Sequence, residues 1–189
     1  MKYSHRFASL LLGTAIVAAP LVLATPAAAQ EFTRLEGWLA PSVSYPVGGS
    51  FLTLRLTGAT AESELASYSA LARKKGERAL YNRLGDEDLG RLSIDGNLGR
   101  PIAIVQETRD EGLRRLLIVV ERQLSNREIF GSARSSRYPY LVVDATLDAD
   151  GVGVGELHPA ARLEVSPDGK ITYVAFEPLP LKVLQLKAS

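Results

Sequence analysis

The chain has 189 residues, of which 46% are hydrophobic and 23% are charged, and it contains no cysteine. The absence of cysteine excludes thiol catalysis, disulfides and cysteine-ligated metal sites. The formal net charge of +1 gives no global electrostatic basis for binding nucleic acid, which requires clustered Lys and Arg to neutralise phosphates.

The N-terminus has the three parts of a secretion signal. Lys2 and Arg6 provide a positive start, an uncharged run extends from Phe7 to Leu23, and small residues follow up to Gln30. This pattern predicts a signal peptide that is cleaved after Ala29. We therefore expect export to the periplasm or to the extracellular space.

The alternative interpretation of this segment is a retained membrane anchor, because the uncharged run approaches the roughly 18 to 20 apolar residues that span a bilayer. Gly13 and Pro20 interrupt the run, which favours cleavage. Residues 1–29 are thus predicted to be a signal peptide, and residues 30–189 a single β-rich domain without a transmembrane segment. Cleavage removes two of the 22 basic residues, which leaves 20 against 21 acidic ones, with His158 as the only histidine.

Two strands and two helices are predicted in the first part of the domain. A short strand covers Leu35 to Leu39, and strict alternation from Phe51 to Thr57 indicates a half-buried strand. Thr60 is a suitable N-cap for a helix that ends near Gly76. A second short helix is expected from Glu77 to Leu84, so the pair forms a helical hairpin.

From Leu89 onward the pattern indicates only strands, separated by Gly, Pro, Asn and Asp clusters at hairpin distances. The predicted strands are Leu89 to Asp95, Pro101 to Thr108, Leu113 to Gln123, Tyr138 to Asp148, Val152 to Val165, Lys170 to Phe176 and Leu181 to Leu186. The segment Leu116 to Val120 is apolar on both faces, so we expect it to be the most buried. The turns Ala149–Gly151 and Pro167–Lys170 place glycine where a tight hairpin needs positive φ.

These elements predict an α+β, mainly β fold. Seven or eight mostly antiparallel strands in one domain must close into a barrel or fold over as a sandwich to protect their edges. A helical hairpin inserted after an early strand can cover a face or an end of such a structure. The sequence does not distinguish a barrel from a sandwich.

Gly151, Gly153 and Gly155 recur at every second residue of a predicted strand. A phosphate-binding fingerprint needs a different glycine spacing and leads from a strand into a helix, so a nucleotide site is rejected. The alternation puts the glycines on one face, with Val152, Val154 and Glu156 on the other. The bare face favours close packing against the backbone, with a ligand groove as the alternative.

Three acidic residues of the same region do not match a calcium loop. For Asp144, Asp148 and Asp150, the first and last ligand positions of an EF-hand would fall on Thr146 and Leu157. A solvated hairpin tip is the better interpretation. No metal site and no other cofactor is predicted.

His158 is the remaining candidate for histidine chemistry. One histidine without cysteine does not build a typical zinc site, and no Gly-x-Ser-x-Gly elbow marks a nucleophile. Because it precedes Pro159, His158 is expected at the end of a strand, exposed or at a rim. No catalytic residue is assigned.

The stretch from Arg91 to Arg137 contains nine arginines and no lysine. The planar guanidinium group suits bidentate capture of a carboxylate or a phosphate. Arg134, Arg137 and Tyr138 lie in a loop of small residues and are the predicted ligand-binding residues for an anionic group. The alternative is a solvent-exposed connection whose arginines pair with nearby acids.

Gly37 and Trp38 form only part of the GxW signature of lipocalins, because the intervening residue is missing. One glycine beside one tryptophan is also common by chance. We therefore interpret Trp38 as a core residue and the pair as a weak indication of a barrel.

The C-terminal half also resembles a group of known sequences. The segments Arg134–Tyr140, Leu147–Leu157 and Ala160–Leu163 are similar to a family of exported bacterial proteins in which an Arg-Ser and Tyr-Pro segment precedes a strand and an acidic, glycine-rich hairpin. The Ala79-Leu80 pair and the Gly99–Ile102 step are similar too. The resemblance implies export, and it brings no activity, cofactor or catalytic residue with it.

Together, these observations favour an exported, non-enzymatic binding or accessory module of the cell envelope, with a small molecule or an envelope component as its ligand. One alternative is a hydrolase or lyase that uses carboxylates and arginines on an anionic or glycosidic substrate, with Glu156 beside His158 as a place to examine. Two carboxylates converging in a pocket would favour that enzyme. The other alternative is a protein–protein adaptor, which predicts a contiguous exposed apolar patch or an available sheet edge.

Overall fold

The computed structural model describes residues 33–40, 49–121, 137–166, 170–176 and 180–189. In these residues the chain forms nine β-strands and two α-helices. In chain order the elements are β1 (Thr33–Leu39), β2 (Ser50–Leu56), α1 (Glu62–Lys75), α2 (Glu77–Leu84), β3 (Gly90–Ile94), β4 (Arg100–Asp110), β5 (Leu113–Val120), β6 (Tyr140–Leu147), β7 (Val152–Val165), β8 (Ile171–Ala175) and β9 (Leu181–Ala188). The predicted order is confirmed, with the helical pair between the second and third strands.

Eight of the nine described strands close into an antiparallel barrel. Each strand from β1 to β7 pairs with the next one along the chain, and β9 completes the ring by pairing with both β7 and β1. Strand β8 pairs with the C-terminal part of β7, beyond the segment that pairs with β9. The predicted mainly β fold is confirmed, and of the two closures considered the barrel is the one observed.

The barrel interior is filled with aliphatic side chains. In β2, Leu52, Leu54 and Leu56 face inward and are at most 2% exposed, as the alternating sequence pattern predicts. Inward-facing residues of the other strands join the same cluster, among them Leu35, Leu92, Ile118, Val143, Leu157 and Val183. An eight-stranded barrel is just wide enough for side chains to fill it. The interior therefore serves stability, and a ligand site must be sought on the outer wall or at the ends.

A second apolar cluster lies between the helical hairpin and the outer wall of the barrel. Tyr68 of α1 and Leu80 and Leu84 of α2 pack there against β4 to β8. The wall contributes Ile104, Val119, Val142, Ala161 and Ile171. The segment Leu116–Val120 faces the interior and the helices at alternate residues, so its predicted burial on both faces is confirmed.

Helix α1 begins differently from the prediction. Ala61 rather than Thr60 occupies the N-cap position, without a side-chain hydrogen bond. The Thr60 hydroxyl oxygen instead accepts a hydrogen bond from the Val105 amide at 2.9 Å, and the Thr60 amide donates to the Val105 carbonyl at 2.8 Å. Thr60 thus connects the start of the helical hairpin to β4 through hydrogen bonds with Val105, a residue distant from it in the sequence.

Trp38 lies on the outside of the barrel, so its interpretation as a core residue was wrong. Its side chain is 47% exposed, and its ring packs edge-on against Phe51 with 5.2 Å between the ring centroids. Side chains alternate along β1, and Leu39 and Gly37 face inward, which directs Trp38 outward. The inward side is tight, because a Cβ added at Gly37 would lie 3.0 Å from Val183 Cγ1.

Candidate functional site

Gly153 and Gly155 of β7 allow β6 and β7 to approach closely. A Cβ added at Gly153 would overlap the carbonyl oxygen of Thr146, and one at Gly155 would lie 3.0 Å from the carbonyl oxygen of Asp144. The predicted close packing against the backbone is therefore confirmed. Glycine is required at position 153 for the two strands to pair at this distance, while a Cβ at position 155 would make a tight contact.

An open groove of about 400 Å³ lies across the outer wall of β6, β7 and β9. Its polar row consists of Asp144, Glu156 and Lys182, which the strand register places side by side. The Lys182 ammonium group donates a hydrogen bond to the Glu156 carboxylate. The remaining lining residues are Thr146, Val154, Gly155, Val183 and Leu184. The groove thus combines charged, hydroxyl and apolar groups on three adjacent strands.

His158 lies beside this polar row and is buried. Only 7% of the residue is exposed, and the Tyr173 ring of β8 packs against the imidazole with 4.9 Å between the ring centroids. The expectation of an exposed or rim histidine was wrong. Its burial depends on β8, which pairs with the far part of β7 and carries Tyr173 across the histidine.

Strand β7 continues through His158 instead of ending there. Its pairing with β6 shifts by one residue, since Val142 pairs with His158 but Tyr140 pairs with Ala161. Pro159 lies in the resulting irregularity, a position that tolerates the missing amide hydrogen. The shift also turns Ala161 toward the helical hairpin, where it joins the outer apolar cluster.

Tyr173 links His158 to Asp144. Its hydroxyl donates a hydrogen bond to Asp144 Oδ2 at 3.3 Å and lies 3.0 Å from His158 Nε2. Because the hydroxyl has a single proton, both contacts are satisfied when His158 carries its proton on Nε2 and donates to the hydroxyl oxygen. Burial raises the pKa of the Tyr173 hydroxyl, and the Asp144 carboxylate acts in the same direction, so the hydroxyl stays protonated.

The imidazole of His158 is favoured in its neutral form. Burial lowers the pKa of His158 below its ordinary value of 6.5, although the carboxylates of Glu156 and Asp144 oppose this effect. The closer of the two, Glu156 Oε2, lies 3.6 Å from His158 Nε2. Nδ1 is buried and has no hydrogen-bond partner among the described residues. A buried, uncharged ring therefore borders the polar row.

Of the three residues predicted to bind an anion, the two that the structure describes, Arg137 and Tyr138, do not line the groove. Arg134 lies outside the described residues. Arg137 and Tyr138 come just before β6, and the Tyr138 ring packs 5.1 Å from the Phe176 ring, measured between centroids.

Several arginines of the arginine-rich stretch pair with nearby acids. Arg91 donates to Asp88 at 2.8 Å, and Arg109 and Arg114 each donate to Glu107 at 2.8 Å. Although burial by itself would raise the Glu107 pKa, the hydrogen bonds from these two arginines hold it below its ordinary value. These arginines therefore act within the fold.

Asp148 has the turn role that the hairpin-tip interpretation predicted. Its Oδ1 accepts hydrogen bonds from the amides of Asp150 and Val152, each at 2.9 Å, while Gly151 adopts a φ of +75°. Within the described ranges, no group of three or more His, Cys, Asp or Glu residues could hold a metal ion. The other predicted turn, Pro167–Lys170, lies mostly outside the described residues.

The sequence singled out Glu156 and His158, and the structure brings these two side chains together. It gave no role to Tyr173 or Lys182. Its assignment of Asp144 to a solvated hairpin tip was wrong, because Asp144 lies within β6 and lines the groove. The available signal was the alternation of inward and outward residues along each strand, because the polar residues of the row all occupy outward positions. This alternation does not reveal which strands are neighbours, so the sequence could not predict that these three residues lie side by side.

The chain matches no protein-family model, no curated protein and no solved structure. Neither helix in the described part of the chain is long and apolar enough to cross a membrane.

Proposed function

We propose that the protein is an exported binding module of the cell envelope that holds a hydroxyl-rich, saccharide-type ligand in the outer groove. The observation that carries this proposal is the polar row of Asp144, Glu156 and Lys182 in an open groove, with exposed Val154 and Leu184 beside it. The signal-peptide pattern at the N-terminus supports a location in the envelope.

The hydrogen-bonding groups of the groove suit neutral hydroxyls. Carboxylates accept from hydroxyl groups, and an ammonium group donates to them. Since Lys182 neutralises Glu156, the row keeps one negative charge on Asp144, which opposes a strongly anionic ligand. Val154 and Leu184 offer apolar contact for the C–H faces of a sugar ring. This mixture of apolar surface with a few placed polar groups is typical of small-molecule sites.

The groove is preorganised, because its polar side chains are positioned by strand pairing. Asp144 pairs with Glu156 across β6 and β7, and Glu156 pairs with Lys182 across β7 and β9. Tyr173 further orients Asp144 through the hydrogen bond to Oδ2. Sites on rigid elements lose less conformational freedom on binding, which favours affinity.

A hydrolase acting on glycosidic bonds is the second candidate, because Asp144 and Glu156 converge in the groove. That mechanism needs one carboxyl group that donates a proton to the leaving oxygen. Here one oxygen of each carboxylate already accepts a hydrogen bond within the protein, Glu156 Oε1 from Lys182 and Asp144 Oδ2 from Tyr173. We therefore favour binding over hydrolysis.

The test is oligosaccharide binding by the processed protein purified from the envelope, with chitotetraose and cellotetraose as probes and saturation-transfer NMR as the readout. The double variant Asp144→Asn/Glu156→Gln should weaken binding at least about tenfold, because it removes two charged acceptors from ligand hydroxyls. The matched control is Arg162→Gln/Glu164→Gln, which removes an exposed ion pair from the same strand, away from the groove.

The control variant should bind like the original protein. The proposal is contradicted if neither probe binds, or if the groove variant binds as well as the control. Release of new reducing ends from either probe, lost in both Asp144→Asn and Glu156→Gln, would favour the hydrolase instead.

A further inference from the structure

A second surface lies on the outer wall formed by β2, β1 and β9. The register aligns Phe51 with Trp38 and Trp38 with Leu184, which gives a row of outward apolar side chains across three strands. Further along the same strands, Arg55 pairs with Arg34. We call these five residues the aromatic face.

The apolar row of the aromatic face is exposed. Trp38 and Leu184 are 47% and 45% exposed, and Val154 on the neighbouring strand extends the row at 58%. The edge-on contact with Phe51 fixes the orientation of the tryptophan ring. A contiguous exposed apolar patch of this kind marks an interaction site.

The arginines of the aromatic face concentrate positive charge. Arg55 is directly opposite Arg34 on one side and Arg91 of β3 on the other. Like charges at directly opposed positions of a sheet are destabilising. Glu36 accepts a hydrogen bond from Arg34, and Asp88 accepts one from Arg91. Three guanidinium groups thus face two carboxylates, and the remaining positive charge favours contact with an anionic surface.

We propose that the aromatic face docks the protein on the surface of an anionic phospholipid bilayer. In this arrangement Trp38 and Phe51 lie at the level of the lipid headgroups, where aromatic rings are favoured. Arg34 and Arg55 bind lipid phosphates, which match the planar guanidinium fork. The inference goes beyond the saccharide groove, from which it uses only Leu184 and the adjoining Val154.

Charge favours a bilayer over a second copy of the chain as the occupant. Two aromatic faces in contact would bring two positively charged surfaces together, which is unfavourable. An anionic bilayer offers both negative charge and an apolar interior within reach of the same face. The helical hairpin covers the wall formed by β4 to β8, so docking through β1, β2 and β9 leaves that packing undisturbed.

The tryptophan content of the chain makes the test specific. Trp38 is the single tryptophan, so tryptophan fluorescence, excited selectively over tyrosine, reports on the aromatic face alone. The processed protein is mixed with unilamellar vesicles of phosphatidylcholine containing one-third phosphatidylglycerol, or with vesicles of phosphatidylcholine only. With anionic vesicles, the Trp38 emission should shift to shorter wavelength and the protein should sediment with the vesicles. Brominated acyl chains should quench the Trp38 emission. Added salt should weaken the binding.

Two charge variants distinguish binding through the aromatic face from a nonspecific attraction of basic residues to anionic vesicles. Lys187 of β9 pairs with Glu36 of β1 and adds a cation beside the aromatic face. Arg55→Gln/Lys187→Gln therefore removes two cations from the wall that carries this face and should reduce binding to anionic vesicles at least about tenfold. The matched control, Lys74→Gln/Lys75→Gln, removes the same charge from the exposed end of α1 and should bind normally. Circular dichroism verifies that both variants are folded.

Three results would overturn the proposal: equal binding to neutral and anionic vesicles, an unshifted emission, or equal losses in the two double variants. A shift that grows with protein concentration without vesicles would assign the face to a second copy and overturn it as well. Oligosaccharide binding measured without vesicles reports on the groove separately, so the failure of one proposal is distinguishable from the failure of the other.

Discussion

The outer surface of the barrel has a covered wall, formed by β4 to β8 beneath the helical hairpin, and an open wall, formed by β2, β1 and β9. On the covered wall, outward residues such as Ile104, Val119 and Val142 are apolar and fully buried. On the open wall, Trp38 and Leu184 remain exposed among charged and polar neighbours. The inward residues of both walls are aliphatic. The interior and the covered wall therefore provide stability, while the open wall presents chemistry to the surroundings.

The largest expected effect is a difference in stability between the same substitution on the covered wall and on the open wall. Leu84 is fully buried between α2 and the covered wall, so Leu84→Ala should lower the free energy of unfolding by about 2–5 kcal/mol. Leu184→Ala makes the same substitution on the open wall and should change it by no more than about 0.5 kcal/mol. Urea unfolding followed by circular dichroism measures both, and equal losses would show that the open wall carries stability as well.

The next prediction concerns the tight pairing of β6 and β7 beneath the groove. A methyl group at Gly153 would overlap the Thr146 carbonyl oxygen, so Gly153→Ala should destabilise the protein by about 1–3 kcal/mol. Gly85→Ala is the matched control, because Gly85 has a φ of −63° and a Cβ there would meet its nearest atoms at 3.5 Å. The control should be neutral or stabilising by about 0.4–1 kcal/mol. Similar unfolding midpoints for the two variants would show that the strands can separate without cost.

Most elements of the fold were predictable, because strand alternation and helix spacing are local signals. The bounds predicted for α2, Glu77 to Leu84, and for β7, Val152 to Val165, are those observed. The closure was not predictable in the same way. Pairing of β9 with β1 joins the two ends of the domain, and the sequence pattern of either strand is equally compatible with a sandwich.

The candidate site was less predictable than the fold, for two physical reasons. Trp38 was assigned to the core from the usual burial of tryptophan, whereas the inward position of Leu39 next to it determines its outward direction. Pro159 was taken as the end of a strand, whereas a shift of register absorbs it and leaves His158 beneath Tyr173. In both cases contacts between strands override the preference of a single residue.

The smallest expected effect lies at the boundary between the walls, where Tyr173 packs against the outer apolar cluster and also contacts His158 at the groove. Burial places the pKa of His158 in the folded protein below its ordinary value of 6.5. The unfolded chain therefore binds more protons than the folded protein as the pH falls. The stability that depends on the neutral ring is fully present above pH 6.5 and is lost as the pH falls toward the lower pKa of the folded state.

Replacement of this ring by His158→Gln should make stability less dependent on pH. Between about pH 7.5 and about pH 5.5, the original protein should lose up to about 1 kcal/mol more unfolding free energy than the variant, measured by urea unfolding at both values. The substitution leaves the neighbouring Glu156 and Asp144 in place, so the difference between the two proteins isolates the imidazole. The loss of stability on protonation of His158 has a local origin. Protonation adds an N–H at Nδ1, which is buried without an acceptor among the described residues. If the unfolding free energies of the two proteins depend on pH in the same way, then Nδ1 finds a hydrogen-bond acceptor on protonation. The packing around His158, at the boundary between the walls, would then admit such an acceptor.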